Sequence, residues 1–197
     1  AKDLGVDLFL LDDGWFGNKY PRANDRAGLG DWEATRAKLP GGVPALVEAA
    51  RKAGVRFGIW VEPEMVNPQS ELFEKHPDWA IHYPNREPYY YRHQLVLDLA
   101  NPEVQDYVFG VVDQLMTRNP EIALLKWDCN SPITNVYSPY LGKRQGQLYV
   151  DHVRGVSNVF RRVREKYPEL RLMLCSGGGA RCDYEALKYF TEFWCSD

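Results

Sequence analysis

The sequence predicts an α/β fold: a parallel sheet wound toward a (β/α)₈ barrel, of which these 197 residues hold only part. Three observations carry that expectation. Strand-like and helix-like segments alternate along the whole chain, the pattern of successive βαβ units. Polar, reactive residues follow the C-terminal ends of nearly all the strands, at Asp12 and Asp13, Glu62 and Glu64, Asp128, Cys175 and Asp197. A barrel gathers its site on that face, whereas an open doubly wound sheet concentrates such residues at one switch point. Finally, only five or six strands are legible, and a closed barrel needs eight. The chain therefore reads as one incomplete barrel domain over residues 1–197, and as a piece of a longer protein.

The first strand, Val6–Leu11, is apolar and runs into Asp12-Asp13-Gly14-Trp15. Pro44 in a first turn and Gly54 as a stop bound a helix over Val43–Ala53, since proline suits a helix start and glycine its end. Val55–Val61 is the next strand, followed by Glu62-Pro63-Glu64-Met65, and Leu95–Leu99 is a short extended piece. Asn101 ahead of Pro102 and Glu103 is an N-cap. The helix it opens runs to about Arg118 and carries Val104, Val108, Val111, Val112 and Leu115 on one face. Ala123–Trp127 follows as a strand, then a long helix over Gln147–Lys166 and a strand over Leu170–Leu174. A short helix over Asp183–Tyr189 and a last strand over Phe193–Asp197 complete the reading.

Apolar content of 45% and charged content of 26% are those of an ordinary soluble enzyme. A formal charge of −3 provides no basic field, so nucleic acid is not an expected partner. No apolar stretch is long enough for a bilayer, and Ala1-Lys2-Asp3-Leu4-Gly5 lacks the features of a signal peptide. Cys129, Cys175, Cys182 and Cys195 form no CxxC pair and no zinc-ligand spacing. Reduced thiols and a cytoplasmic location are expected.

Asp128 is the most informative residue. In Leu124-Leu125-Lys126-Trp127-Asp128-Cys129-Asn130 an apolar strand ends in a lysine and a carboxylate two positions apart. Alternation puts those two on one face and Trp127 on the other. A carboxylate beside a fixed ammonium stays ionised, which suits a nucleophile better than an acid. Asp197 supplies a second carboxylate at the end of Phe193-Trp194-Cys195-Ser196-Asp197. Two carboxylates in different surroundings are what glycoside cleavage requires, and the pair points to a retaining glycosidase.

The remaining motifs each admit two readings. Asp12 and Asp13 can accept hydrogen bonds from neighbouring sugar hydroxyls, bind a divalent metal, or form a turn. Trp15 and Trp32 stack on a sugar or simply pack, packing being the plainer reading. Glu62 and Glu64 compete with Asp128 and Asp197 as catalytic carboxylates or, more plainly, hold loop backbone. Arg92, within Tyr89-Tyr90-Tyr91-Arg92-His93-Gln94, clamps a substrate or stacks as a structural cation. His76, His82, His93 and His152 show no metal pair and no triad context. Cys175-Ser176-Gly177-Gly178-Gly179-Ala180 lets backbone N–H groups approach a ligand, but contains no Walker motif, no dinucleotide fingerprint and no GxSxG.

Taken in series, these segments resemble the catalytic barrel of the microbial α-galactosidases of glycoside hydrolase family 36. The resemblance rests on Leu10-Leu11-Asp12-Asp13-Gly14-Trp15-Phe16-Gly17, Gly28-Leu29-Gly30-Asp31-Trp32 and Phe57-Gly58-Ile59-Trp60-Val61-Glu62-Pro63-Glu64-Met65-Val66. It continues through His76-Pro77-Asp78-Trp79, Val96-Leu97-Asp98-Leu99, Lys126-Trp127-Asp128, Cys175-Ser176-Gly177-Gly178-Gly179 and Trp194-Cys195-Ser196-Asp197. The resemblance implies that Asp128 is the nucleophile and Asp197 the general acid/base. It implies further that Asp12, Asp13, Trp60, Arg92, Lys126, Asn130, Cys175 and Gly178 line a galactose subsite, with no metal and no cofactor. The chain then holds roughly strands two to six of the barrel, without the family's N-terminal β-sandwich and C-terminal β-domain, and the full-length protein is a homotetramer.

The implied activity is release of terminal α-linked galactose from melibiose- and raffinose-type oligosaccharides by double displacement. Retaining chemistry expects the two carboxyl groups about 5–5.5 Å apart. Chemical kin on the same scaffold remain open: a galactosyltransferase of the raffinose-synthase type, or an α-N-acetylgalactosaminidase. A metal-dependent hydrolase built on Asp12, Asp13, Glu62 and Glu64 is the distant alternative.

Overall fold

A computed structural model describes residues 2–196. Its elements are β1 (Leu8–Leu11), α1 (Gly42–Lys52), β2 (Arg56–Val61), β3 (Met65–Val66), α2 (Glu71–Lys75), β4 (Leu95–Val96), α3 (Pro102–Arg118), β5 (Ile122–Trp127), α4 (Leu148–Lys166), β6 (Arg171–Leu174) and β7 (Glu192–Phe193). Five strands form one sheet in the order β1-β2-β5-β6-β7, and every pair in it is parallel. β3 and β4 form a separate two-stranded ribbon, while within the five-stranded sheet the strands follow one another in chain order, with no reversal. That is progressive winding of the barrel kind, since a doubly wound sheet reverses direction at its switch point. β1 and β7 each have one neighbour in the sheet, so no barrel closes among the described residues.

The central strands are apolar on both faces because both are covered. In β2 every residue from Phe57 to Val61 is buried, and in β5 every residue except Ala123. Trp127 packs its ring edge-on against Phe160 of α4, with centroids 5.0 Å apart, so it faces the helix layer as alternation predicts. α3 buries the predicted Val104, Val108, Val111, Val112 and Leu115, and its Asn101 cap accepts the Glu103 N–H at 3.0 Å. α4 crosses close to the segment ahead of α3: a Cβ on Gly155 would fall 1.8 Å from the Leu99 carbonyl oxygen. Glycine there lets backbone meet backbone.

Four expectations change. The first strand begins at Leu8, after exposed Val6 and Asp7. Leu95–Leu99 shortens to β4, which pairs antiparallel with β3, a two-residue strand in the segment after Glu64 for which no strand was expected. Asp183–Tyr189 contains only a 3₁₀ turn at Ala186–Lys188; seven residues are too few to offset helix nucleation without an apolar face, and Tyr184 and Leu187 are exposed. The last strand is Glu192–Phe193, although the Trp194 N–H still bonds the Leu174 carbonyl at 2.9 Å. The short helix α2 was also missed, despite its signal: Ser70 caps it by accepting the Phe73 N–H at 3.0 Å.

Candidate active site

Asp128 follows directly on β5, and its N–H bonds the Val61 carbonyl at 2.8 Å, so the ladder with β2 extends one residue past the strand. That register brings Trp60 alongside Lys126. The Trp60 indole N–H then reaches Oδ2 of buried Asp128 at 2.9 Å, while Oδ1 accepts the Cys129 N–H at 2.9 Å. Two fixed donors on two different oxygens set the orientation of the carboxyl group. Trp60 is in turn held through its carbonyl, which accepts the Trp15 indole N–H at 2.9 Å. Phe16 stacks on Trp60, and Trp15 and Trp32 pack into the same cluster. For Trp15 and Trp32, packing is what the structure bears out.

Lys126 shares the Asp128 side of the strand but contacts a different acid. Its Nζ lies 2.9 Å from Oδ2 of Asp12, at the end of β1, so the ion pair expected with Asp128 is made with Asp12 instead. The reason is reach: a lysine stem extends away from the adjacent residues of its own strand toward the neighbouring strand ends. Burial alone would lower the Lys126 pKa; the hydrogen bond and charge of Asp12 outweigh it, with Cys175 and Asp128 adding, and the pKa is raised. The lysine also lies 4.7 Å from the centre of the Trp194 ring. Asp12 keeps over half of its side-chain surface exposed at the mouth.

Asp13 diverges from its neighbour. Buried Arg22 grips it with two guanidinium nitrogens, Nε to Oδ1 at 3.0 Å and Nη2 to Oδ2 at 2.8 Å. Nothing in the sequence singled out Arg22.

Cys175, after β6, is fully buried, and its N–H bonds the Trp127 carbonyl at 2.8 Å. Burial pushes the thiol up to about 11, opposed by the Gly178 N–H and reinforced by the charge of Asp128 and a hydrogen bond to it. The thiol is therefore a hydrogen-bonding group at neutral pH and not a thiolate nucleophile. The glycine loop folds on itself through a bond from the Ser176 N–H to the Gly178 carbonyl at 2.8 Å. Asn130 ties this loop to β5, its Oδ1 accepting the Gly177 N–H at 2.9 Å.

Glu62 and Glu64 are both buried but in opposite company. Glu64 faces Arg181 at 2.7 and 2.9 Å and accepts the Trp127 indole N–H at 2.7 Å. This makes it a structural anchor for the loop after β6. Burial, then the charge of Asp128, push the Glu62 pKa up to about 8. With Asp12 on Lys126, Asp13 on Arg22 and Glu64 on Arg181, the four acids of the metal reading do not converge. Among the described residues no three His, Cys, Asp or Glu side chains group as a cation site.

The structure thus brings together Asp128, Trp60, Lys126, Asp12 and Cys175, with Asn130 and Gly178 in the adjoining loop. Arg92 is exposed within the turn Tyr91–Gln94, closed by the Gln94 N–H on the Tyr91 carbonyl. Asp197 and its separation from Asp128 lie outside the described residues. A cavity of about 740 Å³ lies elsewhere, between Trp15, Trp32 and the Tyr107–Gln114 flank of α3. A buried carboxyl group held by an indole, beside a lysine–carboxylate pair at an open mouth, is equipped to attack an electrophilic carbon while hydroxyls are held next to it.

The family model described as Melibiase matches residues 1–197. Alpha-galactosidase AgaA of Geobacillus stearothermophilus is 41% identical over 198 residues, which are 100% of this chain and 27% of that protein. The crystal structure of the alpha-galactosidase from Lactobacillus brevis has a TM-score of 0.95 at 39% identity, covering 100% of this chain and 26% of its own. A variant of AgaA in complex with raffinose has a TM-score of 0.94 at 40% identity, covering 99% of this chain and 27% of its own. The chain spans about a quarter of the length of the curated relatives it matches.

Proposed function

This chain belongs to the melibiase family, and we propose that it carries the sugar-binding face of a retaining α-galactosidase. The reading rests above all on Asp128, a buried carboxyl group at a strand end whose Oδ2 is held by Trp60 at 2.9 Å. Support comes from relatives named alpha-galactosidases, one of them solved with raffinose.

In this scheme protonated Asp197 donates its proton to the glycosidic oxygen as Asp128 attacks the anomeric carbon. The aglycone leaves and a galactosyl ester forms on Asp128. Asp197, now a carboxylate, takes a proton from water, whose oxygen displaces Asp128 and releases galactose with its configuration retained. Lys126, Asp12, Asp13, Arg92 and Asn130 bond the sugar hydroxyls. Trp60 supplies an apolar wall as well as the bond to Asp128, and Cys175 and Gly178 close the loop side. Melibiose- and raffinose-type oligosaccharides are the proposed substrates, hydrolysed by a cytoplasmic homotetramer.

The test is covalent labelling with an α-galactose-configured cyclitol epoxide, mapped by peptide mass spectrometry beside a thermal melt. A label on Asp128 is the expected result. No label on a cooperatively melting protein overturns the assignment. Product analysis with and without a sugar acceptor separates hydrolysis from galactosyl transfer.

A further inference from the structure

Glu62 is buried at the end of β2 without a cation in contact among the described residues. Its Oε1 accepts two hydrogen bonds, from the Asn130 N–H at 2.6 Å and from the Gln94 side-chain amide at 3.2 Å. The two donors lead to two separate parts of the site. Asn130 lies two residues past Asp128 and holds the glycine loop through Gly177. Gln94 closes the turn from Tyr91, its N–H bonding the Tyr91 carbonyl at 3.2 Å. Inside that turn Arg92 and His93 have φ of +52° and +60°, the left-handed region that side chains adopt only under outside constraint. A second tie reaches it from Asn67, whose side-chain amide bonds the His93 carbonyl at 2.9 Å.

We propose that Glu62 is a positioning residue: one carboxyl oxygen joins the Asn130 amide to the Gln94 carboxamide and so fixes the Arg92 turn relative to Asp128. What Arg92 binds rests on the α-galactosidase reading above; the brace itself does not. Burial and Asp128 keep Glu62 a neutral acid at pH 7, so the brace works through geometry and adds no second negative charge beside Asp128. A glutamine presents the same acceptor oxygen and is the matching replacement. An alanine leaves both donors unpaired in a buried site.

The experiment compares Glu62→Gln, Glu62→Ala and Gln94→Ala with the wild-type protein by steady-state kinetics on an aryl α-galactoside, thermal melts and crystal structures. Glu62→Gln is expected within about threefold of wild-type kcat/KM. Glu62→Ala and Gln94→Ala are expected to raise KM about tenfold with a smaller change in kcat, the loss of roughly one hydrogen bond to substrate. A folded Glu62→Ala variant with wild-type KM, or Glu62→Gln as impaired as Glu62→Ala, overturns the proposal. If Glu62→Ala does not fold, an unchanged KM in Gln94→Ala overturns it. Wild-type protein inactive on α-galactosides defeats the functional reading instead, and the structures then decide the brace. An Arg92–His93 turn kept in Glu62→Gln and displaced in Gln94→Ala supports it; a turn unmoved in Gln94→Ala overturns it.

Discussion

The Trp60 indole N–H donates to Oδ2 of Asp128 at 2.9 Å across the β2–β5 ladder, a contact between residues 68 positions apart. The parallel register that sets Trp60 beside Lys126 and Val61 beside Trp127 puts the indole within reach of the next residue along β5. A hydrogen bond to a charged group contributes about 1.5–3 kcal/mol. Trp60→Phe keeps most of the packing against Phe16 and removes the donor. Its kcat/KM should fall about 10- to 100-fold with the melt little changed. Wild-type kinetics in that variant would show that the indole bond contributes nothing to the reaction.

Removing the proposed nucleophile should separate the chemistry from the fold. Asp128→Ala is expected to lose about 10⁴-fold or more in kcat, as deletions of attacking groups do, and to melt cooperatively. Added azide should then restore turnover by direct displacement and yield the β-galactosyl azide, because one displacement inverts the α-substrate. An α-configured azide product would contradict the double-displacement scheme.

Glu62 and His152 should tilt stability in opposite directions with pH. Glu62 has its pKa raised from 4.5 to about 8 by burial and then by Asp128. Between those values the unfolded chain loses a proton that the folded chain keeps, so stability falls as pH rises, by at most about 1.4 kcal/mol per unit. Above pH 8 the penalty is constant. Glu62→Gln should therefore flatten the melting temperature between pH 5 and 8; a curve parallel to wild type would contradict the raised value.

His152, buried on α4, has its pKa lowered from 6.5 to about 4, by burial first, with Glu64 and Arg181 nearby. Here the unfolded chain takes up a proton that the folded chain refuses, so stability is intact above pH 6.5 and falls as pH drops toward 4. His152→Leu should lose less melting temperature than wild type on going from pH 7 to 4.5. An equal loss in both proteins would assign the acid sensitivity to other groups.

Gly155→Ala tests the close approach of α4 to the Leu99 backbone. A methyl group 1.8 Å from the Leu99 carbonyl must push α4 away from the start of α3. It would also disturb the bond from the Gln105 side chain to that same carbonyl, now 2.8 Å. Overpacking of this kind costs about 1–3 kcal/mol, read as a lower urea midpoint at unchanged slope. A midpoint equal to wild type would mean that α4 is free to shift.

Local signals made much of this legible. The β5 strand, its Trp127–Lys126 alternation, the Asn101 cap and the apolar face of α3 follow from periods and capping residues within a few positions of one another. Two-residue strands such as β3 and β4 leave no such trace, because each forms only through its partner 30 residues away. The short helix at Asp183–Tyr189 failed for a related reason: its pattern was present, but Tyr184 and Leu187 face solvent, so little apolar surface is buried by extending the 3₁₀ turn.

By itself the sequence determined the order of strands and helices and the strand ends at which the polar residues gather, and it singled out Asp128 as the candidate nucleophile. Only the tertiary structure decided the pairings: Lys126 with Asp12, Asp13 with Arg22, Glu64 with Arg181, and Glu62 with Asn130 and Gln94. Strand alternation tells which side a residue faces, because it is set by the backbone alone. Which charge it meets there depends on the tips of strands from distant parts of the chain, and on how deeply their packing excludes water.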